Sequence, residues 1–197
     1  MDFFQIRANC LYGKTISKQH LLPNLSQIYG LSFFADLYMG WSEEGISIEV
    51  EMTERFNQPK FPDFKIADSI ELFYDTRDIK TTGYNTRFCH HFYFLPEPVE
   101  NNGSWVQAGE ITKFRNEDKH ELSDQDNLKI KKIKNGQFRI FIPSKSLYGY
   151  DPLQFPRLGF TYRINRLNND SQCFSADDRH FMIEQQPSLW ASLRLVK

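Results

Sequence analysis

Hydrophobic and polar residues alternate along much of this chain with a period of two. The segment "GISIEVEMTER" places Ile46, Ile48, Val50 and Met52 on one side and polar residues on the other. Because successive side chains of a strand point to opposite faces, the pattern predicts a half-buried β-strand. The preceding segment "LSFFADLYMGW" predicts its hairpin partner, with the turn at 42–45.

The same period recurs in "DSIELFYD", in "NGQFRIFIP" after an Asn-Gly turn, and in "LGFTYRINRL". The segment "RFCHHFYFLP" predicts a further strand, which we expect to end at Pro96 and Pro98 because proline lacks the N–H that a ladder needs. The residues expected on the inner faces are Ile70, Leu72, Tyr74, Phe138, Ile140, Ile142, Phe160, Tyr162 and Ile164.

Weaker strand patterns occur in "SWVQAGEITKF", "LKIKKIK" and "SLWASLRLV". Short helical turns are predicted in "TISKQHLLPNLSQIYG", which Pro23 interrupts, and in "PSKSLYGY". The charged stretch from Asn116 to Asn127 predicts a surface loop. Together these elements predict one all-β domain over 1–197, an antiparallel β-sandwich of about nine to eleven strands with one or two short helical turns.

Composition narrows the function classes. Aromatic residues are 15% of the chain, which is enough for a large hydrophobic core. The 24 Lys+Arg are balanced by 25 Asp+Glu, so the chain has no excess positive charge to attract nucleic acid. No apolar run of 18 residues exists, so we expect no transmembrane helix and no membrane partner. The start "MDFFQIRANC" lacks a secretory signal, and three scattered cysteines suit a reducing compartment. If the chain begins at its natural start, we expect a cytoplasmic protein, with export that uses no cleaved signal left open.

Three segments, taken in order, resemble family 9 carbohydrate-binding modules and related DOMON-like domains. "GWSEEGISIEVEM" with "ADSIELFYD" resembles their opening hairpin and next strand, "GQFRIFIPSKSL" with "LGFTYRINRL" resembles two later strands, and "PSLWASLRLV" resembles their closing strand. The likeness spans Leu31 to Val196 and implies a β-sandwich that binds carbohydrate. A narrower likeness of "YDTRD" and "RFCHHFYFLP" to bacterial proteins of the same sandwich type implies no activity.

The resemblance also sets expectations for tryptophans and cofactors. Sugar-binding family 9 modules hold the ring between two tryptophans, but Trp41 and Trp190 fall on framework motifs. Trp105 is the spare tryptophan, and either Trp105 or Tyr84 is expected to supply a stacking ring. A haem site, known among DOMON domains, is not expected because Met39 and Met52 lie on apolar strand faces. We expect no cofactor. A structural calcium ion is common in related modules, and the carboxylates of Asp68, Asp75 and Asp78 are available as its ligands.

A polar face and a turn are the candidate ligand site. Glu71 is expected to accept ligand hydroxyls, with Arg163 and Asn165 beside it, although a salt bridge on a solvated sheet face explains the same pattern. Glu71 and Asp75 lie roughly 13 Å apart on a straight strand, which exceeds the ~5–9.5 Å of paired glycosidase carboxylates. The turn "YDTRDIKTTGYNTR" adds candidate ligand-binding residues, which are Asp75, Arg77, Tyr84, Asn85 and Arg87. Within it, Arg77 and Arg87 are expected to pair with Asp75 and Asp78.

The Cys-His-His run leaves several interpretations open. On a strand, Cys89 and His91 share one face and His90 lies on the other. Two ligands fall short of a zinc site, and His120 is isolated in sequence like His20 and His180, so we predict no metal site. A nucleophilic Cys89 would need a histidine from elsewhere. We therefore expect no catalytic residues, and we expect Cys89, His90 and His91 to have structural roles.

The leading hypothesis is a non-catalytic binding protein for a carbohydrate or another polyhydroxylated ligand. The alternative is an intracellular protein-interaction scaffold that uses a sheet edge or the 116–127 loop. The least favoured class is an enzyme that uses Cys89 and the histidines.

Overall fold

Strands and short 3-10 turns make up the regular structure of the chain, which we describe from a computed structural model over residues 6–25, 28, 30, 32–115, 117–167, 171–176, 179 and 181–197. The strands are β1 (Arg7–Tyr12), β2 (Ala35–Ser42), β3 (Gly45–Met52), β4 (Ser69–Asp75), β5 (Cys89–Asn101), β6 (Ser104–Glu110), β7 (Lys129–Lys134), β8 (Gln137–Pro143), β9 (Arg157–Asn165), β10 (Ser171–Cys173) and β11 (Ala191–Val196). The predicted all-β fold is confirmed.

Short 3-10 turns are more frequent in the described residues than the sequence predicts. They span Lys18–His20, Phe64–Ile66, Gln125–Asn127, Ser144–Ser146, Ile183–Gln185 and Pro187–Leu189. The first and fourth fall in the two segments predicted to be helical, although positions 26, 27 and 29 of the first segment lie outside the described residues. Leu31, Asn116 and His180 lie outside them as well. None of the helical segments described has the length and apolar character to cross a membrane.

The strands pair in the order β6-β5-β4-β9-β11-β1-β2-β3-β8-β7, with β10 added to β9. All ladders are antiparallel except those of β1, which pairs in parallel with both β11 and β2. This departure from the expected antiparallel arrangement has a topological reason. A parallel neighbour requires a long connection, and residues 13–34 supply one between β1 and β2.

Strand register confirms the predicted hairpins and corrects one boundary. Ser42 pairs with Gly45 across the β2–β3 turn. Strand β5 does not end at the prolines but continues to Asn101, and its register against β6 shifts between Phe94 and Val99. Because the ladder is interrupted there, Pro96 and Pro98 need no backbone donor.

The inner faces of the strands form one hydrophobic core. Ile48 and Ile140 from one half of the sheet meet Leu72 and Tyr162 from the other half, and all four are buried. Strand β7, at one end of the strand order, lies near β5 and β6 at the other end. The sheet therefore curls into two layers around a common centre, as the alternation predicts.

The outer face of β4 is also covered, which the sequence analysis did not predict. Every residue of β4 is buried, including Ser69, Glu71 and Asp75. The connections that precede β4 and follow β10 fold back over this face, where Phe73 packs against Trp190. The face of β4 that the sequence predicts to be exposed to solvent is therefore buried, because connecting segments without strand periodicity cover it.

Candidate functional site

A polar network lies beneath this cover, centred on Glu71 of β4. Arg163 of β9 donates from Nε to Glu71 Oε1 at 2.8 Å and from Nη2 to Oε2 at 3.1 Å. Asn165 Nδ2 donates to Oε1 at 2.7 Å, and His91 Nε2 lies 2.7 Å from Oε2. The structure therefore brings together Glu71, Arg163 and Asn165, as predicted, and adds His91, which the sequence left without a partner.

Burial and pairing together set the charges of this network. Burial alone would raise the pKa of Glu71, but the hydrogen bond from His91 and the charge of Arg163 outweigh it and hold that pKa below its ordinary value. Burial lowers the pKa of His91, partly offset by Glu71. At neutral pH, Glu71 is ionised and neutral His91 donates to it. Both carboxylate oxygens are occupied inside the protein, so Glu71 orients His91 and Arg163.

A cavity of about 380 Å³ opens beside His91. Its size falls within the ~300–1,000 Å³ of small-molecule pockets. Its wall combines apolar and charged side chains, which come from the 62–66 segment, the residues after β6, and the 183–185 turn. The lining residues are Pro62, Asp63, Phe64, Lys65, Ile66, His91, Ile111, Lys113 and Glu184.

Charged groups connect the cavity to the buried network. Lys65 Nζ donates to Glu184 Oε1 at 2.8 Å, and Arg163 Nη1 lies 3.8 Å from Glu184 Oε2. Burial would raise the pKa of Glu184, but the hydrogen bond from Lys65 outweighs it, with help from the charge of Arg163, and lowers that pKa. The wall of the cavity thus places the charged groups of Lys65 and Glu184 next to apolar side chains.

Asn85, one of the predicted site residues, supports this cavity from behind. Its Nδ2 donates to the carbonyl oxygens of Lys113 at 3.0 Å and Glu184 at 2.9 Å. Asn85 is buried, so it fixes the backbone of two lining residues.

The turn after β4 holds two of the other candidates. Asp75 accepts from the backbone N–H of Arg77 at 2.9 Å and of Ile79 at 2.6 Å. The Arg77 guanidinium lies over the ring of Phe155, 3.7 Å from its centroid. The predicted pairing of the two arginines with Asp75 and Asp78 is therefore not found: these contacts fix the turn instead.

The ion pairs of this region use other partners. Asp78 pairs with Lys80 at 2.7 Å, and Arg87 pairs with Asp118. Tyr84 lies half-buried on the same connection, outside the set of residues that line the cavity.

Trp105 lies away from the network. The register places Glu71 level with Tyr93 and Gly109, whereas Trp105 pairs with Glu100 near the tip of the β5–β6 hairpin. Four residues along β6 correspond to roughly 13 Å. The side chain of Trp105 is 69% exposed, so a stacking role there would belong to a different surface.

The acids considered for calcium do not converge on one point. Asp68 accepts from the backbone N–H of Asn57 at 2.8 Å and of Gln58 at 2.9 Å, at the start of β4. Asp75 and Asp78 lie at the other end of the strand and have the partners given above. Calcium binding stays a prediction, without a shared site among these three carboxylates.

Cys89 has the surroundings of a structural cysteine. It is buried against Phe73 and Trp190, and burial raises its pKa to about 12. The thiolate is the reactive form of cysteine, so this thiol is poorly suited to nucleophilic chemistry. His91 shares its face, as predicted, but is directed to Glu71.

Sequence reasoning missed most of the residues that line the cavity. Phe64, Lys65, Lys113 and Glu184 lie in connections without strand periodicity. The only available signal was the length of these connections, which fold over β4.

Comparison with known proteins supports the fold. No protein-family model matches the chain, and no curated protein matches it in sequence. A family 9 carbohydrate-binding module from Caldicellulosiruptor kristjanssonii in complex with cellotriose superposes with a TM-score of 0.61 at 13% identity, over 96% of this chain and 93% of that one. Its glucose complex gives 0.60 at 13% identity, over 96% and 95%. A protein from Bacteroides uniformis gives 0.54 at 8% identity, over 96% and 98%. The chain therefore has a fold similar to family 9 carbohydrate-binding modules, which confirms the resemblance at the level of fold.

Proposed function

We propose that this chain is a non-catalytic binding protein for a carbohydrate or another polyhydroxylated ligand, and that the ligand occupies the cavity beside His91. The observation that supports this most directly is the meeting of ionic and apolar groups in that cavity. The shared fold supports it as well, because the Caldicellulosiruptor module is described with cellotriose and with glucose.

A sugar ring presents hydroxyl groups at its edge and C–H bonds on its faces. Lys65 and Glu184 offer charged groups to the hydroxyls, and hydrogen bonds to charged groups are stronger than neutral ones. Phe64 and Ile111 offer apolar surface to the ring faces. The cavity thus matches the two kinds of surface of such a ligand.

The buried network has a positioning role in this proposal. Both oxygens of Glu71 are occupied by His91, Arg163 and Asn165, so Glu71 acts on the ligand through these neighbours. A site whose side chains are held by a second set of hydrogen bonds is preorganised and loses less freedom on binding.

A protein partner is the second candidate. Trp105 is 69% exposed on β6, which lies at one end of the strand order. Exposed tryptophans at a sheet edge suit a protein contact, since tryptophan is enriched in interface hot spots. Loss of a stoichiometric partner in a pull-down with Trp105→Ala would favour this alternative.

The test of carbohydrate binding is a glycan array followed by calorimetry with glucose and cello-oligosaccharides. We expect Lys65→Ala and Glu184→Gln each to weaken binding about tenfold, the effect of losing one charged hydrogen bond of ~1.5 kcal/mol. Lys132→Ala is the matched control, because Lys132 of β7 pairs with Glu97 of β5, and neither residue lines the cavity. Absence of binding to any glycan at millimolar concentration, or equal affinity in all three variants, would contradict the proposal.

A further inference from the structure

Three side chains meet at the other face of β5, apart from the cavity beside His91. His90 comes from β5, Glu110 from the end of β6, and His120 from the connection to β7. His90 Nδ1 lies 2.8 Å and His120 Nε2 lies 2.9 Å from Glu110 Oε1. The side chains are 0, 3 and 0% exposed for His90, His120 and Glu110, so nearly all water is excluded. One nitrogen or oxygen atom from each lies within 4.8 Å of the other two.

The second nitrogen of each histidine faces a backbone carbonyl. His120 Nδ1 lies 2.7 Å from the Arg87 carbonyl oxygen, and His90 Nε2 lies 3.5 Å from that of Tyr148. A carbonyl oxygen only accepts hydrogen bonds, so His120 Nδ1 has its hydrogen directed there. Histidines that bind metals almost always donate their other N–H to a carbonyl or carboxylate in this way.

With its hydrogen on Nδ1, His120 directs the lone pair of Nε2 at Glu110 Oε1, which lies 2.9 Å away. One ligand atom from each of His90, Glu110 and His120 lies within 4.8 Å of the other two. A single metal ion placed between these three atoms can accept a lone pair from each.

The carboxylate is oriented for such a role. Thr112 Oγ1 donates to Glu110 Oε1 at 2.9 Å, and the backbone N–H of Ser123 donates to Oε2 at 2.7 Å. Ligands 2.0–2.2 Å from a tetrahedral ion lie roughly 3.4 Å apart. A shift of about half an ångström in the histidine rings therefore opens the cluster enough to admit an ion.

We propose that His90, Glu110 and His120 bind a divalent transition-metal ion of the zinc class. Two imidazole nitrogens and one carboxylate favour zinc, cobalt, nickel or iron, whereas calcium prefers six to eight oxygen ligands. His120 also lines a cleft of about 500 Å³ with Ser123, Ser146 and Tyr148. Three protein ligands beside a cleft leave a coordination position for water or another small ligand.

The sequence predicts no metal site, because His120 is isolated along the chain. In the structure His120 lies against His90, and Glu110 contacts both. Cys89 and His91, the pair considered first, lie on the opposite face of β5.

The test measures metal binding by the untagged protein after treatment with a chelator. We expect calorimetry to show one Zn²⁺ per chain, and Co²⁺ to give the visible absorption of a site with nitrogen and oxygen ligands. Glu110→Gln and His120→Gln should each weaken Zn²⁺ binding at least ~100-fold, more than the 10–100-fold typical of losing an outer partner. Excess Ca²⁺ should not compete.

His20→Asn is the matched control, since it removes a buried histidine from another part of the fold. An Asn oxygen can replace His20 Nδ1, which accepts from the backbone N–H of Ser17 at 3.1 Å. Circular dichroism establishes that each variant is folded, and the wild-type titration stands even if one variant is not. Failure of the wild type to bind Zn²⁺, Co²⁺ or Ni²⁺, unchanged affinity in Glu110→Gln, or displacement by Ca²⁺ would overturn the proposal.

Discussion

Replacing Glu71 with Gln tests whether the buried network stabilises the fold. Glu71 accepts four hydrogen bonds, from Arg163 twice, from Asn165 and from His91. A glutamine has one acceptor oxygen and an NH₂ group that faces donors. The substitution removes the carboxylate that accepts two hydrogen bonds from the buried guanidinium of Arg163, whereas Glu184 Oε2 lies farther away, 3.8 Å from Nη1.

The expected loss of stability follows from breaking the buried ion pair between Glu71 and Arg163. Breaking a buried ion pair by removing one partner costs about 3–5 kcal/mol. With a urea m-value of ~2 kcal/mol/M, a loss of 4 kcal/mol lowers the denaturation midpoint by about 2 M. Urea unfolding followed by circular dichroism measures this shift directly.

The double variant Glu71→Leu, Arg163→Met separates charge from packing. Apolar replacements of similar volume remove both charges, and such replacements are often neutral or stabilising. We therefore expect the double variant to be more stable than Glu71→Gln. A midpoint that changes by less than about 0.5 M in Glu71→Gln would refute the reasoning. A double variant that is less stable than Glu71→Gln would refute it as well.

Two further predictions follow from burial. Burial lowers the pKa of His91 from 6.5 in the folded chain, so below about pH 6.5 the unfolded chain binds a proton that the folded chain does not. Stability should thus be constant between about pH 7 and 8 and fall as the pH drops below 6.5, with a second loss below about pH 4.5 from Glu71. Urea midpoints measured across this pH range test both losses, and a midpoint unchanged down to pH 5 would count against the assignment. Cys89 should react with iodoacetamide only on unfolding, because its pKa is about 12 and it is fully buried; mass spectrometry under native conditions that finds rapid labelling would contradict its structural role.

The inner face of the sandwich could be predicted from the sequence because one physical rule governs it. A residue such as Leu72 or Ile140 must face the core, and the alternation records that requirement at every second position. The strand β1 was missed because "RANCLY" lacks a clean alternation, and only three residues form β10.

The outer face could not be predicted in the same way. Glu71 and Arg163 follow the polar half of the alternation, which normally means contact with water. Here the connections fold over them, and their burial depends on contacts such as Lys65 with Glu184, 119 positions apart in sequence. Contacts between residues so far apart in the sequence produce no repeating pattern of apolar and polar positions.

The adjacent residues His90 and His91 show how one strand serves both proposed sites. The period of two sends their side chains to opposite faces, His91 to Glu71 and His90 to Glu110. The faces are nonetheless linked, because the backbone N–H of His91 donates to Thr112 Oγ1 at 2.8 Å and that hydroxyl donates to Glu110 at 2.9 Å. These two hydrogen bonds connect the Glu110 carboxylate to the backbone beside the cavity. We therefore expect a change in the position of that carboxylate to alter the backbone at His91.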